Sequence, residues 1–451
     1  MFGSKEKSPQ ASEGEVTPTN GSKTDLETGE TGGLHRTLHS RHLQFIAIGG
    51  TIGTGLFLGS GKAIATSGPV GTLIAFIFIG SIVYSVMTAL CEMATYIPVP
   101  GAFTSYASRF IDPTLGFGMG WMYWFSWSIT FALELTAAGV IIQYWNDSLS
   151  IAIFITVFWV GSVGKFIGFW SVLITAGFSF QGSELVGIGA GETKDPEKSV
   201  PSAVRWTFWG IFSLFVSTIF FVGLLVPSND PSLLLDSQDA SASPLVIAAN
   251  LAGVKVLPDI INAVLLTAVL SAANSNVYSG SRILVSLANE RCAPQFMTWT
   301  NKYGTPYMAV ATTSAVGLLA YMNLSQDGGV VFDWLLNVTA VAGFISWSCI
   351  NICHLRFMAA LKAQNIPRSS LPYTAPLQPY LSWYGLFFNV LIILTNGFAV
   401  FIEWSTSDFF TAYVSVILFV VLLAGHKIFN RTMPLKAIEA DVTTGTLRAR
   451  S

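Results

Sequence analysis

The sequence predicts an all-α polytopic membrane protein in which two helices are interrupted at bilayer depth. Three observations predict it. Of the 451 residues, 52% are hydrophobic and only 11% charged, and the mean hydropathy is +0.57, whereas a soluble domain carries about 25% charged residues. Apolar segments recur at the length that crosses a bilayer, about 20 residues. Two of these segments are broken by glycine-rich polar runs, Gly49-Gly-Thr-Ile-Gly-Thr-Gly-Leu-Phe-Leu-Gly-Ser-Gly61 and Phe178-Ser-Phe-Gln-Gly-Ser-Glu-Leu-Val-Gly187. Broken backbone is tolerated at that depth only where it is buried in protein or lines a cavity, so the two breaks together locate a site.

Taken in order, residues 1–34 are rich in Ser, Thr, Gly and Glu and read as a disordered cytosolic tail. No basic stretch followed by an apolar one opens the chain, so the first span is expected to target it. Residues 35–430 form the transmembrane domain and 431–451 a cytosolic C-terminal tail. Spans are expected at Leu43–Ala65, Gly68–Cys91, Leu115–Tyr144, Trp206–Val226, Val256–Ser279, Pro306–Met322, Val330–Phe357, Trp383–Ile402 and Phe409–Ile428. Lys and Arg alternate with acidic loops between them, which puts both termini in the cytoplasm. Asp147 then falls outside and Lys194 inside, so an odd number of spans separates them. Leu149–Ala190 is too short for three. One full span, Phe166–Ala190, preceded by a re-entrant or surface stub at Leu149–Val160, satisfies the parity. The total is about ten full spans, or ten to eleven apolar segments.

Several function classes fall away. A P-loop ending at Gly61-Lys62 would need glycine where Leu56 stands and Ser or Thr where Ala63 stands. A dinucleotide fingerprint from Gly53-Thr54-Gly55 would need glycine at Leu58. A net charge of −2 without a basic stripe excludes a nucleic-acid surface. Cys91, Cys292, Cys349 and Cys353 have no metal-ligand spacing and read as packing residues. No nucleophile, base and orienting group come together in the pattern, so neither an enzyme, a cofactor nor a metal is expected.

Charged residues inside spans are functional by default. Glu134 lies deep in the third span, and Glu184 follows the second break, with no Lys or Arg at comparable depth. Two such carboxylates bind protons or meet a mobile cation. Glu92, at the cytoplasmic end of its span, reads as a loop-facing structural acid. Half-helix N-termini offer NH groups to a carboxylate, and unwound carbonyls receive a cation. A ligand with one of each is an amino acid.

The motifs carry a resemblance. Gly50-Thr-Ile-Gly-Thr-Gly-Leu-Phe57, Glu92-Met-Ala-Thr-Tyr-Ile-Pro-Val-Pro-Gly-Ala-Phe103, Phe180-Gln-Gly-Ser-Glu-Leu-Val-Gly187 with Gly191-Glu192, Ala273-Asn-Ser-Asn-Val-Tyr-Ser-Gly-Ser-Arg282 and Val341-Ala-Gly-Phe-Ile-Ser-Trp347 occur in one order from about Leu34 to the last span. The chain resembles the fungal amino-acid permeases of the amino acid-polyamine-organocation superfamily, most of all the arginine and lysine permeases. That resemblance implies two inverted five-helix repeats plus two C-terminal helices, and proton-coupled secondary uptake at the plasma membrane, with an amino acid, a proton and the surrounding lipid as partners. It implies that Thr51, Gly53, Thr54 and Gly55 hold the substrate carboxylate. Phe178, Ser179 and Glu184 would line the amino-group side, with Glu184 also near proton coupling. Thr339 and Gly343 would shape the side-chain pocket, Asn274 and Ser275 would face the first span at the coupling region, and Glu134 would contribute electrostatically. One departure stands out. The resemblance implies twelve spans, yet this chain passes from Phe158-Trp-Val160 almost directly into Gly164-Lys-Phe-Ile-Gly-Phe-Trp170, omitting the fifth helix and the lysine that relatives carry there. A non-transporting amino-acid receptor and an inactive truncated permease are the alternatives.

Overall fold

The computed structural model describes residues 44, 47–48, 51–99, 101–143, 164–193, 195–227, 230, 233, 243–302, 304–324, 328–401 and 404–446. The expected stub at 149–160 lies outside them, as does the point of deletion expected near 160–165 up to residue 163. Among the described residues the regular structure is helical.

Helix α1 (Ser60–Tyr96) begins on a π-helical turn, Gly55–Gly59, that follows a bend at Ile52 and Gly53. It holds the second half of the first expected span and all of the second, joined at a kink instead of a loop. Gly68 there takes φ 73° and ψ 168°, a conformation open to glycine, and Pro69 after it cannot continue the hydrogen-bond ladder. The segment after α1 folds into a helix that sequence reading did not separate, α2 (Ala102–Phe110). Helix α3 (Pro113–Gln143) starts with proline at its first position, and Asp112 accepts the Thr114 NH at 2.7 Å, a local N-cap.

Helix α4 (Gly164–Phe180) ends at the second break, so Phe166–Ala190 is not one continuous span. Short α5 (Leu185–Ile188) and a 3-10 turn, Gly189–Glu192, follow. Next come α6 (Pro196–Leu225), α7 (Pro244–Leu251), α8 (Leu257–Asn289), α9 (Tyr307–Val316), α10 (Gly328–Ala363), α11 (Tyr380–Thr395) and α12 (Thr406–Asn430). Among the described residues five helices are long and apolar enough to cross a bilayer: α1, α6, α8, α10 and α12. Tyr307–Tyr321 and α11 are shorter apolar helices.

Helix α8 packs along α3, α1 lies between α4 and α6, and α10 contacts α3, α11 and α12. Lys62 of α1 pairs with Asp333 of α10. At the other end of α1, Glu92 is fully buried and faces the loop after α10 as a structural acid. Its carboxylate accepts Arg368 Nε at 2.7 Å, Arg368 Nη2 at 2.6 Å and the Ala375 NH at 2.5 Å, pinning the α10–α11 connection. The stretch after α12 is no free tail. Residues 431–446 lie against α2 and α10, where Arg109 donates to the Thr444 carbonyl at 2.8 Å, Gln364 to the Ala440 carbonyl at 2.6 Å, and Val442 is wholly buried.

Candidate functional site

The two breaks face one pocket. Thr51, Gly53 and Gly55 of the first and Phe178, Gln181 and Glu184 of the second line it, closed by α3 and by Gly343 of α10. The wall from α3 is a polar stripe at helical spacing, Tyr123, Trp127, Thr130 and Glu134, residues that share a face because three or four positions make one turn. Only Glu134 was marked in advance. Tyr123 and Trp127 were missed, although the Tyr-x3-Trp-x2-Thr-x3-Glu spacing carried the signal.

The two carboxylates have different surroundings. Glu184 is not unpartnered: Tyr123 Oη donates to its Oε1 at 2.9 Å, and Trp347 Nε1 and the Gly182 NH each donate to its Oε2 at 3.2 Å. Three neutral donors therefore fix it. Glu134 accepts one bond, from Thr54 Oγ1 to Oε1 at 3.3 Å, and its buried Oε2 has no partner among the described residues. A buried polar atom left unpaired is costly, and this one belongs to the pocket wall.

Glycine is required where backbone meets side chain. A Cβ on Gly53 would stand 2.7 Å from Glu134 Oε1, and one on Gly343 would stand 1.8 Å from Gln181 Nε2. Gln181 in turn donates to the Thr339 carbonyl at 3.3 Å and the Ala340 carbonyl at 3.0 Å, tying the second break to α10. Thr51 is buried and donates to the Ala47 carbonyl at 2.7 Å. Ser179 donates to the Thr175 carbonyl at 2.9 Å and lies against Gly55, while Thr339 is buried with its hydroxyl unpaired; neither is a pocket wall. Asn274 stands on the exposed side of α8 and Ser275 is half-buried, so the structure does not bring them to the pocket. Asn276, two residues on, is the buried amide of that run, with both polar atoms unpaired. The space left is about 10 Å³, room for about one water; an amino acid enters only if these elements move apart.

These features define a class: a multi-pass membrane protein whose discontinuous helices enclose a polar, carboxylate-bearing pocket. The sequence profile of the amino acid permease family matches residues 42–163 and 160–439. The basic amino-acid permease of Saccharomyces cerevisiae is 39% identical over 476 residues, covering 90% of this chain and 83% of its own. The lysine/arginine permease of Candida albicans is 41% identical, covering 89% and 81%, and the proline-specific permease of Emericella nidulans is 37% identical, covering 91% and 88%. The chain belongs to the amino acid permease family, whose relatives here are transporters and not enzymes.

Proposed function

We propose that this chain is a secondary active transporter that takes up cationic amino acids, lysine or arginine, together with protons by alternating access, at the plasma membrane with both termini in the cytosol. The observation that carries the cationic reading is Glu134, a buried pocket carboxylate with one oxygen unpaired and no cation among the pocket walls. An ammonium or guanidinium side chain supplies the missing charge and donors. The names of the basic and lysine/arginine relatives support it, and the proline-specific relative at similar identity means that family membership alone does not choose the side chain.

In this reading Thr51, Gly53, Thr54 and Gly55 receive the substrate carboxylate through backbone NH and hydroxyl groups. Phe178 and Glu184 bound the amino-group side, Ser179 joins them only when the pocket opens, and Glu184 exchanges the coupled proton. Gly343 shapes the side-chain pocket from α10, and Thr339, one turn before it, does so only in the opened state. The closed pocket supports a cycle in which it opens to one side at a time. Asn274 and Ser275 act in coupling only if α8 rotates toward the first break.

A second reading rests on a specific observation. The alignment with the Saccharomyces relative runs over 476 residues, longer than the 451 of this chain, and the two family matches meet at 160–163. That supports an internal segment missing there, and with it a permease that binds but does not transport. Uptake of labelled lysine and arginine at acidic and neutral external pH, in yeast lacking its own basic permeases and with surface protein quantified, separates them. Saturable uptake, stronger at acid pH and lost in Glu184→Gln, is expected. No uptake with normal surface protein would sink transport.

A further inference from the structure

Away from the pocket, a second cavity of about 160 Å³ opens between α1, α6 and the α10–α11 connection. Its walls are aromatic and apolar: Tyr84 and Met87 of α1, Val204, Phe208 and Trp209 of α6, and Tyr373 of the connection. The Thr88 hydroxyl there is already used, donating to the Tyr84 carbonyl of its own helix at 2.8 Å. The other uncharged polar groups on the walls are the phenol and indole tips of Tyr84, Tyr373 and Trp209.

One cation stands at the mouth. Arg205 is exposed, lines the cavity, and makes no ion pair with a described residue. The acid one turn beyond Thr88 on the same face of α1 is Glu92, and Arg368 and the Ala375 amide already occupy it. Arg205 thus keeps its charge uncompensated.

Its depth follows from the sequence of α6. From Trp206 to Leu225 the helix carries no charged residue. At 1.5 Å per residue that run is about 30 Å long, the thickness of the hydrocarbon core. Arg205 therefore sits where headgroups meet acyl chains, with Trp206 and Trp209 exposed beside it, as aromatic residues are at that level. Apolar walls below a free guanidinium at the interface match an amphiphile with a negative head.

We propose that this cavity binds one anionic glycerophospholipid, an acyl chain against Tyr84, Phe208 and Trp209 and the headgroup on Arg205. A zwitterionic lipid carries no net negative charge to meet the guanidinium and is disfavoured. The proposal rests on the chain spanning a membrane and not on what the pocket carries, so it survives if transport fails.

The test is native mass spectrometry of the full-length protein equilibrated with equal amounts of phosphatidylserine and phosphatidylcholine. Wild type retains one phosphatidylserine in preference to phosphatidylcholine. Arg205→Gln loses that preference roughly tenfold or more, as one charge-assisted contact implies. Val204→Phe fills the cavity with Arg205 intact and loses it too, and Arg205→Lys keeps a reduced preference, which shows that charge and not misfolding is responsible. An unchanged preference in Arg205→Gln, meaning annular lipid only, overturns the proposal. So does displacement of the lipid by inorganic phosphate, which would make this a free-anion site, or full retention in Val204→Phe.

Discussion

Replacing Glu134 by Gln keeps the shape of the side chain and its bond from Thr54 while removing the charge that faces the pocket. A hydrogen bond to a charged group contributes about 1.5–3 kcal/mol, and about 1.4 kcal/mol is tenfold in affinity. The apparent KM for arginine should therefore rise about 10- to 150-fold in Glu134→Gln. Citrulline has the same length and a neutral end, so its weak uptake should change less than about threefold on the same arithmetic. Both are measured as uptake by cells carrying equal surface protein. An equal rise for arginine and citrulline would show that Glu134 only supports the wall. No rise for either would remove it from the binding site and with it the cationic reading.

Gly53→Ala places a Cβ 2.7 Å from Glu134 Oε1, overpacking that costs about 1–3 kcal/mol; uptake should fall steeply while the protein still reaches the surface. Breaking the buried pair in Glu92→Gln strands the Arg368 fork. Loss of one partner from a fully buried pair costs about 3–5 kcal/mol, and solvent at the 32% exposed Arg368 lowers that cost here; the Tm in detergent should still drop, and by less in Glu92→Gln with Arg368→Gln. Burial opposes the Asp112 carboxylate, but Lys427, Thr432 and the Thr114 NH outweigh it and hold its pKa below the ordinary value. A depressed carboxylate contributes stability above the unfolded pKa, about 3.9, and loses it as pH falls through the folded one. The Tm gap between wild type and Asp112→Asn should accordingly be constant from neutral pH to about 5 and close only below about 4. Val442, within the C-terminal stretch, is wholly buried, and Val442→Asp should release residues 431–446 to limited proteolysis, where wild type is protected.

Much of the fold was legible because a bilayer forces a simple code. Apolar length marked α3, α10, α11 and α12 and the C-terminal end of α6 to within several residues, since hydrocarbon tolerates little else. Helix boundaries at the aqueous ends were not legible. Helix α6 begins at Pro196, ten positions before its apolar run, and α10 continues to Ala363 beyond Phe357, because helices extend past the membrane on polar residues that hydropathy does not see. The docking of residues 431–446 was invisible for a related reason. Main-chain carbonyls of Thr444, Leu435 and Ala440 receive Arg109, Arg356 and Gln364 there, and backbone acceptors leave no trace in composition.

The site divides along the same line. Glycines and lone carboxylates announced the two breaks, since each is expensive in a span and so stands out. What they could not announce was pairing. Glu184 looked as bare in sequence as Glu134, and the difference lies in Tyr123 and Trp347, from helices distant in the chain. Helix α10 explains why this matters beyond the pocket. It pairs with Lys62 through Asp333, borders the pocket at Gly343 and bonds Glu184 through Trp347. Further along, its His354 Nε2 lies 3.5 Å from Glu92 Oε2, and Gln364 holds the C-terminal stretch. With the pocket shut to about 10 Å³ and walled by the two breaks, α3 and Gly343, room for anything larger than a water requires α10 to move relative to the breaks and α3, and the Trp347–Glu184 bond is the α10 contact that such a movement strains.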